Sequence, residues 1–393
     1  MNMLEELQIP TGDAAAEILP RLVSVLAGAS PAVLPVPATD EREAQRLRDA
    51  LVPGTEIEAA AALVVATSGT TGTPKGAMLS ASALRASGNA THDRLGGPGT
   101  WLLALPAHHI AGMQVLLRSV LANTDPVILD VGAGFDPSEL PAAVARMSGR
   151  RYTSLVPTQL IKALDDPAAT EALTQFDAVL LGGAATPVPL RERAVAAGIS
   201  IVRTYGMSET AGGCVYDGVP LDGTRLRIDS GHIDSGHIDS GRVVLGGATV
   251  ALGYRGWPDH PAFAEHGWFR TDDAGRLTDG VLSIEGRLDE AISTGGLTVV
   301  PQVVEAALAT HPAVRECAVA GLDDTRLGQR VVAAVVASSA VTLAELREHV
   351  ALTLDPTAAP RELYLVDALP IRGPGKLDRA WLRVVLETLA PHR

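Results

Sequence analysis

Residues 63–79, LVVATSGTTGTPKGAML, restrict the chain more than any other stretch. Leu63 to Ala66 is a short apolar run of the kind that forms a buried strand. The ten residues from Thr67 to Gly76 then hold three glycines, four threonines, one serine and one lysine. Glycine lets a backbone turn tightly and approach a ligand closely, because it has no Cβ. Hydroxyls and open N–H groups supply donors and Lys75 supplies a point charge, a combination suited to a polyphosphate. The common nucleotide loop, G-x-x-x-x-G-K-[ST] opening a helix, is not present: Pro74 precedes Lys75 and Gly76 follows it. Ala77 to Leu79 reads as a second strand and Ser80 as the N-cap of a helix starting near Ala81, so the context is strand–loop–strand.

The chain has 393 residues, enough for two domains that each bury a core. It is 47% hydrophobic but only 3% aromatic, so Ala, Val and Leu must fill those cores. A net charge of −13 argues against a nucleic-acid partner, which needs a basic face. The cysteines are Cys214 and Cys317, too few for a disulfide framework or a structural zinc site. The N-terminus, MNMLEELQIP, is acidic where a signal peptide is basic, and apolar runs such as Val331 to Ala337 are too short to span a bilayer. The expectation is a cytoplasmic protein with no membrane insertion, and a homodimer is the assembly to test.

Residues 14–51 alternate helical stretches with a Pro-rich passage, SPAVLPVP, and the charged run from Asp40 to Asp49 reads as a solvated helical face. Between 100 and 210, short apolar segments (Trp101 to Leu105, Pro126 to Asp130, Tyr152 to Val156, Ala178 to Leu181, Ser200 to Arg203) alternate with helical-period stretches. Met113 to Ala122, Pro137 to Met147 and Val188 to Ala197 are examples of the latter. This alternation predicts a layered α/β domain with function at the strand exits. After residue 212 glycine becomes frequent and short β-type runs appear, which predicts a small antiparallel barrel-like subdomain or sheet. Within it IDSGH-IDSGH-IDSGR, from Ile228 to Arg242, is a tandem repeat too short for a solenoid and reads as a lengthened surface hairpin loop, not a metal site. From Asp289, helices near Val303 to Thr310 and Leu343 to Leu352 interleave with strands Arg315 to Ala320, Val331 to Ala337 and Glu362 to Val366, a compact α+β pattern. The expected division is a large domain over 1–288 and a small mobile one over 289–393, joined by a polar hinge.

Four further stretches bear chemical groups. LPAHHIAG (Leu105 to Gly112) places two histidines just past a strand end, and YGMSET (Tyr205 to Thr210) offers an aromatic face, hydroxyls and one carboxylate, Glu209, suited to a magnesium ion. WFRTDD (Trp268 to Asp273) ends a β-run in two carboxylates that suit a ribose diol, and GPGK (Gly373 to Lys376) sits on a turn.

Taken in order, TSGTTGTPKG, YGMSET, WFRTDD, GRLDE (Gly286 to Glu290) and PIRGPGKLDR (Pro370 to Arg379) resemble the adenylate-forming superfamily of acyl-CoA synthetases, adenylation domains and luciferases, over about residues 60–393. The resemblance implies ATP and Mg2+ in the site and coenzyme A as co-substrate. Thr67, Ser68, Gly69, Thr70, Thr71, Gly72 and Lys75 would hold the β- and γ-phosphates, and Glu209 the magnesium ion. The turn containing Gly183 and Ala184, with Tyr205 and Gly206, would flank adenine, while Asp273 and Arg287 would bind the ribose. Lys376 would bridge carboxylate and phosphate during adenylation, a contact whose loss costs roughly 3–4 kcal/mol or more. Asp289 would be the hinge about which the small domain turns between the two half-reactions, and His109 would line the thiol's route. Two departures stand out: Asp272 replaces the glycine usual before the ribose aspartate, and Ser293 stands where the family often has lysine.

The phosphate loop begins at residue 67, an unusually short head for such enzymes. That head, with SLVPTQL (Ser154 to Leu160) and YGMSETAGGCVYDG, resembles a branch of CoA ligases whose acid carries an aromatic ring, a ketone and two carboxylates. Such a pocket needs an apolar slot and donors for the spectator carboxylate, for which His109, Ser154, Thr158, Gln159, Gly212 and Gly213 are the candidates. Other aryl- or acyl-CoA ligases, and a stand-alone adenylation enzyme loading a carrier protein, are the alternatives.

Overall fold

The glycine-rich stretch is framed by two antiparallel strands. Ala61–Thr67 and Lys75–Ser80 pair with Thr67 opposite Lys75, the strand–loop–strand that the sequence implies. Ser80 then caps the helix Ala81–Arg94, its hydroxyl accepting from the Ala83 N–H at 3.1 Å. The computed structural model describes residues 2–67, 74–229, 240–372 and 376–389. Ser68, Gly69, Thr70, Thr71 and Gly72 of the expected phosphate loop, and the centre of the Ile228–Arg242 repeat, lie outside the described residues.

The framing strands belong to a six-stranded sheet in which Gly253–Tyr254, Lys75–Ser80, Ala61–Thr67, Ala32–Pro37, Asn2–Ile9 and Glu56–Ile57 follow one another. The Pro-rich passage, to which the sequence pattern assigns no element, supplies one of these strands. Ala32–Pro37 is a fully buried strand, parallel to Asn2–Ile9 along six residue pairs but to Ala61–Thr67 only at Val33. Pro35 and Pro37 have the same strand parity as Val33 and carry no N–H, so the ladder on that side stops where donors run out.

A second sheet has seven strands in the order Val219–Pro220, Gly212–Tyr216, Ile201–Met207, Ala178–Leu181, Arg151–Leu155, Thr100–Leu103, Val127–Ile128. The last five are parallel, as the strand–helix alternation predicts, and the first two return antiparallel. Helices Leu19–Ala27, Ala81–Arg94 and Ile110–Ala122 pack on one another, and their buried residues share one apolar cluster with residues of both sheets, including Leu63, Leu79, Trp101 and Leu180. Ile110–Ala122 is buried nearly all round, as suits a predominantly apolar helix, and it takes Gln114, Arg118 and Ser119 into the interior with it. Glu41–Leu51 covers the other face of the first sheet through Ala44, Leu47 and Leu51, leaving Glu41, Gln45 and Asp49 to solvent. The charged run thus forms the solvated helical face expected of it.

By internal packing the chain forms two compact units: 1–186, 193–226 and 244–270 in one; 187–192, 227–243 and 271–393 in the other. The β region after 212 contains a four-stranded sheet of order Thr224–Asp229, Ser240–Gly247, Trp268–Thr278, Val281–Arg287. In the second unit, Gly328–Ala337 lies between Val314–Asp324 and Glu362–Leu365, with Ile292–Thr294 and Leu297–Val299 completing a five-stranded sheet. Its apolar run is buried on both faces. Val331, Ala333 and Val335 pack with Val304, Leu308, Leu346 and Val350 of helices Pro301–Leu308 and Leu343–Ala351, whereas Val332 and Ala334 pack with Leu382 and Leu386. Those last two residues belong to Arg379–Leu389, a helix that the sequence reading missed. Its stripe is obscured by Trp381, Val384 and Leu389, which are apolar and exposed. Among the described residues no helix is long and apolar enough to cross a membrane.

Candidate active site

In the first unit the strands Ala61–Thr67 and Lys75–Ser80 both contact the turn that carries Glu209. Ser208–Thr210 is a short 3-10 turn that follows strand Ile201–Met207, and Glu209 at its centre is 6% exposed. The turn is fastened from several sides. Ala251 N–H donates to the Glu209 carbonyl at 2.8 Å, and Thr210 Oγ1 accepts from Met207 N–H at 3.0 Å. Ala211 follows with φ +52°, a left-handed conformation that costs a residue with a Cβ about 1 kcal/mol or more. Its carbonyl is gripped by Ser87 Oγ at 2.8 Å and Gln114 Nε2 at 2.6 Å, donors on two of the interior helices, which hold that conformation in place. Gly206 is required sterically: a Cβ there would lie 2.1 Å from the Gly212 carbonyl oxygen.

The Glu209 carboxylate accepts a hydrogen bond from the Tyr254 hydroxyl, 2.5 Å from Oε1. The same aromatic ring lies beneath Lys75, whose Nζ is 5.2 Å from its centroid and 5.4 Å from that of Trp257. Lys75 Nζ is also 3.4 Å from His260 Nε2. Lys75 and Glu209 are therefore brought together through Tyr254, a residue absent from the sequence-derived candidates. One signal pointed to it: ALGYRGW places an aromatic directly after a glycine in a chain of five tyrosines and four tryptophans.

The remaining candidates of this unit occupy the exits of the parallel strands. Gly183, with φ +79°, and Ala184 are exposed just after strand Ala178–Leu181; Tyr205 and Gly206 are part-buried near the end of Ile201–Met207. His109 is the N-cap residue of Ile110–Ala122, with its ring 4.1 Å from that of His108, and burial lowers the pKa of His108. Ser154 is buried on Arg151–Leu155, and Thr158 is part-buried on Pro157–Leu164. Gln159 is committed to the main chain: its Oε1 accepts from Val156 N–H at 3.0 Å and its Nε2 donates to the Ala104 carbonyl at 2.7 Å. It ties two strand exits together from a buried position. Gly212 and Gly213 open the antiparallel return strand Gly212–Tyr216.

The candidates of the second unit cluster around Arg287. Its guanidinium forms a two-point pair with Asp289, Nε–Oδ1 2.8 Å and Nη2–Oδ2 2.7 Å, and lies 3.6 Å from Asp273 and 3.9 Å from Asp272. Burial works against the Arg287 charge, but the carboxylates of Asp289, Asp273 and Glu290 together outweigh it and hold the pKa above the usual arginine range. Adjacent positions on a strand face opposite ways. Asp273 is buried beside Arg287, while Asp272 is exposed and paired with Arg242 at 2.9 Å. Beyond the turn, Glu290 meets Arg379 Nε at 2.7 Å, and Arg379 also grips Glu305 at 2.8 Å. Lys376 is described by its backbone, which pairs with Arg372 in a two-residue antiparallel ladder.

Among the described residues no group of three or more His, Cys, Asp or Glu could form a metal cage. A single buried carboxylate near the strands Ala61–Thr67 and Lys75–Ser80 is nevertheless compatible with Mg2+, since that ion usually takes one or two carboxylates and completes its shell with substrate phosphates and water. Glu209 fits that role.

The model of the AMP-binding enzyme family matches residues 7–255, and that of the AMP-binding enzyme C-terminal domain matches 303–376. The chain belongs to the AMP-binding enzyme family. This agrees with the adenylate-forming resemblance and with a large layered α/β domain followed by a small α+β one. A probable 2-succinylbenzoate–CoA ligase of Mycobacterium tuberculosis (strain CDC 1551 / Oshkosh) is 60% identical over 386 residues, 96% of this chain and 97% of the relative. A sulfoacetate–CoA ligase of Cupriavidus necator is 36% identical over 344 residues, 81% of this chain and 66% of the relative. Among solved structures, the o-succinylbenzoate CoA synthetase of Bacillus subtilis in complex with its acyl-adenylate intermediate matches with a TM-score of 0.75 at 25% identity, over 100% of this chain and 88% of that one. The same protein has been solved with ATP and a magnesium ion.

Proposed function

We propose that this AMP-binding enzyme is a 2-succinylbenzoate–CoA ligase, an acid–thiol ligase of menaquinone biosynthesis that works through an acyl-adenylate and releases AMP and pyrophosphate. The observation that carries the substrate is 60% identity maintained along 96% of the chain to a relative named for that reaction. The geometry supports the chemistry: the buried Glu209 carboxylate stands beside Lys75 and the strands that frame the phosphate loop.

In this reading Thr67 to Gly72 and Lys75 cradle the β- and γ-phosphates of ATP, and Gly183, Ala184, Tyr205 and Gly206 border the adenine. Glu209 holds Mg2+, which when bound neutralises phosphate charge. One carboxylate oxygen of the acid attacks the α-phosphorus; the new O–P bond replaces the bond to pyrophosphate. Lys376 stabilises the charge that develops there, an electrostatic task best performed away from water. The thiolate sulfur of CoA then attacks the acyl carbon along the route lined by His109, and AMP departs with the oxygen. Asp273 is the ribose ligand of the pair, supported by its burial beside Arg287, while Asp272 faces solvent. Ser154, Thr158, Gly212 and Gly213 line the acid pocket with His109, and Gln159 shapes it through Val156 and Ala104. Asp289 is the hinge between domains 1–288 and 289–393. A cytoplasmic location is part of the reading, supported by two unpaired cysteines.

The test is pyrophosphate release by the purified enzyme with 2-succinylbenzoate, benzoate, a short fatty acid and sulfoacetate, each with and without CoA. The reading expects 2-succinylbenzoate to give one turnover without CoA and sustained turnover with it. Preference for another acid overturns the substrate assignment. Pyrophosphate release without any free thioester in the presence of CoA would instead indicate an enzyme that loads a carrier protein.

A further inference from the structure

We infer that Tyr254 is a positioning residue for the magnesium-binding carboxylate, and that its hydroxyl sets the metal affinity of the site. The inference rests on the reading of Glu209 as the magnesium ligand and adds a residue to it. Tyr254 is locked to the strand that begins with Lys75. Gly253 and Tyr254 pair antiparallel with Met78 and Ala77, Leu252 N–H donates to the Met78 carbonyl at 2.8 Å, and Arg255 N–H donates to the Gly76 carbonyl at 2.8 Å. The side chain has little freedom either. It is 5% exposed, and its ring is held edge-on by His260 at 4.7 Å and Phe263 at 5.1 Å. From this fixed platform the hydroxyl donates to Glu209 Oε1 at 2.5 Å, the short distance of a charge-assisted O–H···O⁻ bond.

A carboxylate buried to this degree has lost hydration, and the terminal torsion of a glutamate is intrinsically broad and roughly two-fold. The phenol returns one strong donor and fixes the carboxylate plane. Partners that orient a metal ligand in this way are typically worth 10–100-fold in metal affinity. Because the Tyr254 ring also lies under Lys75, one side chain sets the metal-binding carboxylate and the loop lysine in a common frame.

Tyr254→Phe removes the hydroxyl and keeps the ring, its packing and its contact with Lys75. Metal binding is read directly by electron paramagnetic resonance of Mn2+ in the presence of a non-hydrolysable ATP analogue, with Glu209→Gln in parallel. The melting temperature in Mg-ATP against ATP with EDTA provides a second readout. The expected result is a 10–100-fold weaker Mn2+ affinity in Y254F. Metal-free nucleotide affinity should stay within about twofold, the Mg-dependent part of the thermal shift should shrink, and the adenylation rate should recover at saturating Mg2+. Full metal affinity in Y254F with lost affinity in E209Q overturns the role of Tyr254 alone. Full affinity in both variants overturns the magnesium reading of Glu209, and the inference with it.

Discussion

Replacing Arg379 by methionine removes one guanidinium that holds two carboxylates of the second unit. Its Nε meets Glu290 Oε2 at 2.7 Å, Nη1 and Nη2 meet the two oxygens of Glu305 at 2.8 Å, and Nη1 reaches the Val319 carbonyl at 3.0 Å. Side-chain exposures of 22%, 22% and 17% for Arg379, Glu290 and Glu305 place the bridge between the surface and buried limits. Breaking a fully buried pair costs about 3–5 kcal/mol, and an exposed one about 0.2–1 kcal/mol. Each stranded carboxylate keeps one donor, Gln302 for Glu290 and the Val319 N–H for Glu305, and methionine retains much of the packing. The expected loss is therefore about 2–3 kcal/mol, read as a fall of roughly 8–12 °C in the melting transition of this unit. The pH dependence has a definite sign. Burial raises the Glu290 pKa despite the opposing pull of Arg379, and removing the arginine raises it further. A carboxyl with a raised folded pKa contributes stability that is present below its unfolded pKa and lost as pH rises through the folded one. R379M should thus lie nearest to the wild type in acid and show its full deficit above the raised Glu290 pKa. Calorimetry from pH 4 to 8 is the assay. A loss under about 0.5 kcal/mol at pH 7, or one that grows as pH falls, refutes the reasoning.

Lys376→Ala should nearly abolish pyrophosphate release yet spare thioester formation from pre-made acyl-adenylate; equal loss in both half-reactions removes Lys376 from its assigned step. Asp289→Pro, which fixes φ at the hinge, should leave adenylation standing and block thiolation, so single-turnover assays of each half should diverge. His92 is held neutral in the folded protein: burial first, then Arg118, lowers its pKa to about 4, while Trp101 Nε1–H donates to its Nε2 at 3.3 Å. A base with a depressed folded pKa contributes stability that is present above its unfolded pKa and lost as pH falls towards the folded one. Acidification from pH 7 to 4 should cost up to about 3 kcal/mol through this group. His92→Gln should flatten that limb of the urea-unfolding profile, and an unchanged profile excludes His92 as its source.

Much of the fold was legible because it rests on local chemistry. Val64 and Val65 with Thr67 favour a strand, the glycines break it, and Ser80 caps the following helix with its own hydroxyl. Parallel strands and their helices showed through apolar runs alternating with helical periods. What stayed hidden was structure that depends on neighbours. SPAVLPVP carries three prolines, yet Ala32–Pro37 folds as an interior strand because the donors missing at Pro35 and Pro37 fall on one side, where pairing is already ending. RAWLRVVLETL hides its two inward leucines among apolar residues that stay exposed.

The sequence by itself determined the order of the phosphate loop, the carboxylate turn, the ribose aspartates and the C-terminal lysine, since each is a short motif whose residue types declare its chemistry. Tertiary structure alone decided which groups touch. Tyr254 reaches Glu209 across 45 residues, and Arg379 reaches Glu305 across 74. Such pairs are set by strand register and by the faces that helices bury, which act between segments distant in the chain and leave little trace in the local pattern of either.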